Sequence, residues 1–265
     1  MRIFNAHAHI YPDKIAEKAT DAIGKFYDIP MQRHGTPAEL IKSGSEAGIS
    51  KYVVHSCATK ETQVRSINEF IKAEMDKYPE FIGFMTLHQD MTEKAVAEEL
   101  TWCLNNGFKG IKLHPDFQKF YIDDPIMDKV YGAVGEIGKD FPILFHTGDN
   151  RYEFSKPIRL AAVAKKFPKV KFIGAHFGGY RCWDQVDCYK GLENVFFDTS
   201  SSLAFIGEKK AKELIDMLGS EKFFFGDDFP MWNAKEELER FYKIDLTEKQ
   251  REKILSTNLA NLLNI

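Results

Sequence analysis

Two histidines one residue apart stand near the start of the chain, in Asn5-Ala6-His7-Ala8-His9. Side chains two apart on a strand face the same way, so His7 and His9 can aim both imidazoles at one point. As buried structural groups they would need hydrogen-bond partners of their own. As ligands they would need a cation and further donors from elsewhere in the chain. Candidates exist. Seven of the eight histidines (His7, His9, His55, His88, His114, His146 and His176) fall at or just past the end of a short apolar run, and only His34 does not. Asp198 and the pair Asp227-Asp228 end two more such runs. Imidazole nitrogen and carboxylate oxygen are the donors that Zn²⁺, Mn²⁺ or Fe²⁺ take in catalytic sites, where one position stays open for water.

The elements that must position these donors follow from the apolar pattern. Strand candidates cover 2–6, 52–56, 81–86, 108–113, 143–146, 171–175, 194–198 and 223–226, at the recurrence of a βα unit. Amphipathic segments lie between them. In 61–78, Val64, Ile67, Phe70, Ile71 and Met75 form one helical stripe. Segment 92–107 opens on Thr92 as N-cap and closes on Gly107. Segments 124–140 and 155–168 carry an early proline, and 247–265 closes the chain as one or two helices. Residues 27–37 read as a long loop or lid. Repeated strand–helix alternation implies parallel strands. The expectation is an α/β protein, a single-domain (β/α)₈ TIM barrel over 1–265. An open doubly wound sheet would put a Gly-rich phosphate turn after the first strand, and this chain has none there. In a barrel, all C-terminal strand ends meet at one mouth. Packing offers no reason to gather seven polar rings there.

Bulk composition narrows the function classes. The 265 residues carry a formal net charge of −3 with no Lys/Arg block, so nucleic acid is not an expected partner. The four cysteines form no CxxC pair and read as reduced thiols, which suggests a cytoplasmic protein. No apolar run approaches the ~18 residues of a membrane span, and the first ten residues lack a signal peptide's apolar stretch. The expected partner is a small-molecule substrate, not a membrane.

Five motifs, taken together, resemble a known family. They are HxH at 7–9, KLHP at 112–115, LFHTG at 144–148, GAHFGG at 174–179 and FGDDFP at 225–230. Their order and strand placement are similar to those of the amidohydrolase superfamily, in its amidohydrolase-related (amidohydrolase 2) branch, which also holds metal-dependent decarboxylases. The resemblance implies metal ligands at His7, His9, His146 and Asp228, with one divalent ion per chain, Zn²⁺ before Mn²⁺ or Fe²⁺. It implies catalytic roles for Asp228, as acceptor of a water proton, and for His176, as ligand or acid/base group. Lys112 and His114 are expected to contact substrate. Arg151 and Arg181 follow the fifth and sixth strands and could grip a substrate carboxylate. A homodimer is the form common among look-alikes. Three positions depart from the family pattern. Asn5 stands where many relatives have aspartate, Asp227 takes the place of a small hydroxyl residue, and Lys112 lies near a lysine that is carboxylated in two-metal relatives.

The implied chemistry is hydrolysis of an ester, lactone or amide of a small substrate, possibly one bearing a carboxylate, by a metal-activated water. The alternative is non-oxidative decarboxylation of a small aromatic or unsaturated acid. Barrel deoxyribonucleases also begin with HxH, but they supply an inward mid-barrel glutamate that this chain lacks. A non-catalytic binding protein is disfavoured by the intact ligand set. His55 and His88 read as hydrogen-bonding support. Asp198 reads equally well as a strand-end cap or as a group that touches the chemistry.

Overall fold

A computed structural model of the protein describes residues 2–137 and 140–265. Among these, eight strands form one sheet in sequence order, each parallel to the next. They are β1 (Ile3–His9), β2 (Ile49–His55), β3 (Phe81–Met85), β4 (Gly110–Leu113), β5 (Ile143–Phe145), β6 (Phe172–Gly174), β7 (Val195–Asp198) and β8 (Phe223–Phe224). The sheet curls until its last strand meets its first. Ala6 N donates to Phe225 O at 2.8 Å, Asp228 N to His7 O at 3.0 Å and His9 N to Phe229 O at 2.7 Å. The expected (β/α)₈ barrel is therefore present.

Parallel strands need crossovers, and amphipathic helices supply most of them. After β1 come α1 (Asp13–Tyr27) and α2 (Pro37–Glu46), after β2 α3 (Val64–Lys77), and after β3 α4 (Glu93–Asn105). Then follow α5 (Pro115–Gln118), α6 (Asp128–Glu136), α7 (Pro157–Lys166), α8 (Leu203–Leu218) and α9 (Ala234–Tyr242). The chain closes on α10 (Glu248–Glu252) and α11 (Asn258–Leu263). Thr92 caps α4 by accepting from Ala95 N, and Gly107 takes a positive φ of 82° just beyond it, as the sequence predicts. The segment expected at 124–140 yields α6, and its positions 138–139 lie outside the described residues. Between β6 and β7 only a 3₁₀ turn, Val186–Tyr189, makes the crossover. That stretch has no helical stripe and is broken by Gly178, Gly179 and Gly191.

The core has two parts. One lies between strands and helices and includes Val54, Ile111, Phe145 and Phe172. The other fills the barrel with Phe4, Val53, Phe84, Leu144, Ile173 and Phe224, against Leu259, Leu262 and Leu263 of α11. With one end of the barrel filled by this apolar packing, the C-terminal mouth is left for polar groups.

Strand β1 differs from its expected bounds. It runs through His9 rather than stopping near Ala6, and its register against β2 shifts between Asn5 and Ala8. Both histidines are thus held by strand backbone, not by a loop.

Candidate metal centre

His7 and His9 project from the end of β1, and Asp228 sits four residues past β8. Asp228 adopts a left-handed φ of 57°, which its backbone bond to His7 helps to hold. Three donor atoms converge. His7 Nε2 lies 3.3 Å from His9 Nε2 and 3.3 Å from Asp228 Oδ1, and His9 Nε2 lies 3.6 Å from Asp228 Oδ1. Donors on a tetrahedral zinc ion at ~2.0–2.1 Å stand about 3.3–3.4 Å apart. The triangle therefore fits a divalent cation.

The groups behind these donors fix their orientation. His7 Nδ1–H donates to Asp198 Oδ2 at 2.9 Å, which leaves Nε2 as the lone-pair nitrogen. The other Asp198 oxygen accepts from the backbone N–H groups of His176 and Ser200, at 3.0 and 3.1 Å. Ser201 Oγ donates to Asp228 Oδ2 at 2.5 Å, and Trp232 Nε1 donates to Ser201 Oγ at 2.8 Å.

His146 and His176 form a second pair on the same rim. His146 Nε2–H donates to Gly148 O at 3.1 Å. Gly148 is required there: its φ is +84°, and a Cβ would meet Tyr180 N at 2.3 Å. His176 Nδ1–H donates to Ser200 O at 3.1 Å. With both outer N–H groups engaged, His146 Nδ1 and His176 Nε2 present lone pairs to each other at 3.0 Å. Such an approach is attractive only when a proton or cation is shared. The His176 ring stacks on His7 at 5.2 Å, joining the pair to the triangle. The structure thus brings all four expected ligands and His176 to one rim. The ring-nitrogen neighbours of His146 are His176, Gly148, Tyr27 and Asp116 rather than the triangle atoms.

Electrostatics favour neutral rings. Burial, reinforced by the Lys112 charge, holds His7, His9 and His146 well below the ordinary imidazole value. Burial and the neighbouring His146 lower His176 to about 3. A neutral imidazole is the ligand form. Burial raises Asp228 to about 6 against the opposing pull of Ser201 and Lys112.

A cavity of about 20 Å³ opens beside the triangle, lined by His9, Tyr27, His114, Phe117, Tyr180 and Asp228 among others. Of the four expected substrate contacts, only His114 reaches it. The His114 ring lies between His146 (4.1 Å) and Phe117 (3.7 Å), and its Nε2 is 2.9 Å from the Tyr27 hydroxyl. The other three lie outside the cavity lining in this structure. Lys112 is fully buried and its Nζ contacts His7 Nε2 at 2.9 Å, so it competes with a cation for that lone pair. Arg151 turns away because Asp149, two residues earlier, takes its Nε and Nη2 at 3.0 and 2.7 Å, while Nη1 donates to Phe26 O at 2.6 Å. Arg181 is exposed and lies over the Phe205 ring at 3.7 Å.

Asp198, expected either to cap a strand end or to touch the chemistry, bonds both the His176 and Ser200 backbone and the His7 ring. Other residues at the site were not singled out from sequence. Ser200 and Ser201 follow Asp198 without a motif, and Tyr27 reaches in from a helix. Asp227 faces the barrel wall, where it accepts from Asn5 Nδ2 at 2.7 Å and Phe229 N at 2.9 Å. His55 lies edge-on to His9 at 4.4 Å, with neither ring nitrogen bonded. His88 Nδ1 accepts from Asp90 N at 3.3 Å. His34 is exposed in the loop before α2.

Fold and rim together define a class: a parallel (β/α)₈ barrel whose C-terminal mouth is lined by imidazoles and carboxylates. The chain belongs to the amidohydrolase family, whose family model (Amidohydro_2) matches residues 4–265. No curated protein matches the sequence. Among solved structures, an uncharacterised TIM-barrel protein from Bordetella bronchiseptica superposes with a TM-score of 0.82 at 17% identity, covering 100% of this chain and 99% of that one. A 2,6-dihydroxybenzoate decarboxylase from Rhizobium gives 0.75 at 20% identity, covering 100% and 99%. A 5-carboxyvanillate decarboxylase from Novosphingobium aromaticivorans, complexed with manganese, gives 0.78 at 16% identity, covering 100% and 96%. No helix among the described residues is long and apolar enough to cross a membrane.

Proposed function

We propose that the protein is a metal-dependent hydrolase acting on an ester, lactone or amide. The observation that carries this reading is the triangle of His7 Nε2, His9 Nε2 and Asp228 Oδ1 at 3.3–3.6 Å, beside a small cavity. His7, His9 and Asp228 would hold a divalent ion such as Zn²⁺ or Mn²⁺, with His146 and His176 as donors from the adjoining pair. Bound there, the ion would supply an acidified water and a positive charge for a developing oxyanion.

The chain's own groups do the rest. Asp228 lines the cavity with one oxygen toward the ion and is placed to take a proton from the attacking water and return it to the leaving group. Ser201 keeps its second oxygen fixed. His176 is held neutral with its Nε2 lone pair inward, the form in which it donates to a cation and not the form of an acid. His114 and the Tyr27 hydroxyl orient the carbonyl from the opposite wall. Phe117 and Tyr180 exclude bulk water.

A second reading is non-oxidative decarboxylation of an aromatic or unsaturated acid. It is favoured by the aromatic wall of the cavity and by the decarboxylases that share the fold. In that reading protonated Asp228 would deliver the proton that replaces the carboxyl group.

A screen of lactones, esters, amides and aromatic acids, with and without chelator, tests both. The expected result is hydrolysis that stops on chelation and returns with Zn²⁺ or Mn²⁺. CO₂ release without hydrolysis would move the assignment to the second reading. Metal-loaded protein that turns over neither class would overturn both.

A further inference from the structure

We propose that the substrate carries an extended apolar body, an acyl or aryl-alkyl chain, which lies in the groove between α1 and α3 with its reacting end at His9. The proposal rests on the reading of the His9 cluster as the reaction site. The cavity beside that cluster, at about 20 Å³, admits little more than a water-sized group. Next to it runs a groove of about 930 Å³. The two spaces share His9, Ile23 and Phe117, so the groove adjoins the site.

The surface of the groove is mostly apolar, with Lys14, Gln63 and Lys119 among its polar residues. Only Ala16 and Thr20 of α1 are buried. A different stripe of that helix (Ile15, Ala19, Ala22, Ile23 and Phe26) lines the groove. These positions recur at helical spacing, so they make one continuous face. Ile15 is 45% exposed. Opposite stand Ile67 and Phe70 of α3. From Phe26 to Ile15 the helix rises ~16 Å at 1.5 Å per residue, which is room for a medium-length chain. Small polar substrates would leave this surface wet. A substrate with an apolar tail would cover it and place only its carbonyl group beside Asp228.

Calorimetry with two probe series tests the groove and the cation site separately. Straight-chain alkanols, hexanol to decanol, are titrated into metal-free protein. Alkyl hydroxamic acids from acetyl to decanoyl are titrated into zinc-loaded protein. In both series affinity is expected to rise about three- to fourfold per added methylene, the factor for burying one CH₂. Ala22→Trp on α1 and Ser66→Trp on α3 fill the groove from opposite walls. Either variant should flatten the rise while leaving acetohydroxamate affinity unchanged. Affinity independent of chain length, or a rise that survives both substitutions, overturns the proposal. So does a dimer in sedimentation that either tryptophan disrupts, because a second copy would then be the occupant. Alkanols that show the rise, with hydroxamates binding no tighter, uphold the groove and overturn the cation reading instead.

Discussion

Asn5 and Asp227 were separate oddities in the sequence, each a departure from the family pattern. In the fold they bond to each other at 2.7 Å across the seam between β1 and β8. A buried aspartate at both places would set two carboxylates against one another. An amide at position 5 removes that conflict, and its Oδ1 also accepts from His7 N at 3.1 Å. The pair therefore helps to hold the backbone of a candidate ligand. Burial raises Asp227 to about 7, with the Asn5 bond opposing the shift. Its folded-state value lies above the ordinary 3.8, so its contribution to stability is present at low pH and is lost as pH rises toward 7. Asn5→Asp adds a second group of the same kind. It is expected to destabilise by about 3 kcal/mol at neutral pH or above, through an uncompensated buried charge. Thermal unfolding from pH 5 to 8 checks this: the gap from wild type should widen as pH rises. A gap that is flat or narrows with pH would remove the pairing argument.

Helix α1 shows what pattern reading reaches and what it misses. The strands were legible because burial on both faces makes them short continuous apolar runs, and several helices because burial on one face gives them a period-3.6 stripe. Strand β1 was placed short because its polar histidines look like a loop, although the cation site needs them on rigid backbone. The contacts of Arg151 and Arg181 were not legible because their position past a strand gives no direction to a long side chain. Arg151 clamps the end of α1. It joins Asp149 to the Phe26 carbonyl and packs its guanidinium 4.8 Å from the Phe26 ring. That clamp keeps the Tyr27 hydroxyl at His114. Arg151→Ala should leave the barrel folded and speed hydrogen exchange of the amides in the last turn of α1 about tenfold, the loss of roughly one charge-assisted hydrogen bond. Unchanged exchange at residues 24–27 would show that α1 is held by other contacts.

At the scale of the whole molecule, the barrel concentrates cost at one end. His7, His9, His55, His114, His146 and His176 are all buried at the mouth and held toward the neutral form. Buried lone pairs facing one another are unfavourable unless something positive lies among them. Lys112 meets part of that need, and a divalent ion held by donors already spaced for it would meet more. Sequence alone showed that these residues share a rim, because (β/α)₈ topology carries every strand end there. It could not divide them into a triangle and an adjoining pair, since that depends on ring rotations set by Asp198, Ser200, Ser201 and Gly148.

The central claim is that His7, His9 and Asp228 hold a divalent cation. Elemental analysis of dialysed wild-type, His9→Ala and Asp228→Ala proteins, each verified as folded, tests it most directly. The account predicts one tightly held divalent ion per wild-type chain and its loss from both variants. Wild-type protein that binds no such ion even when it is supplied, or variants that retain a full complement, would contradict it.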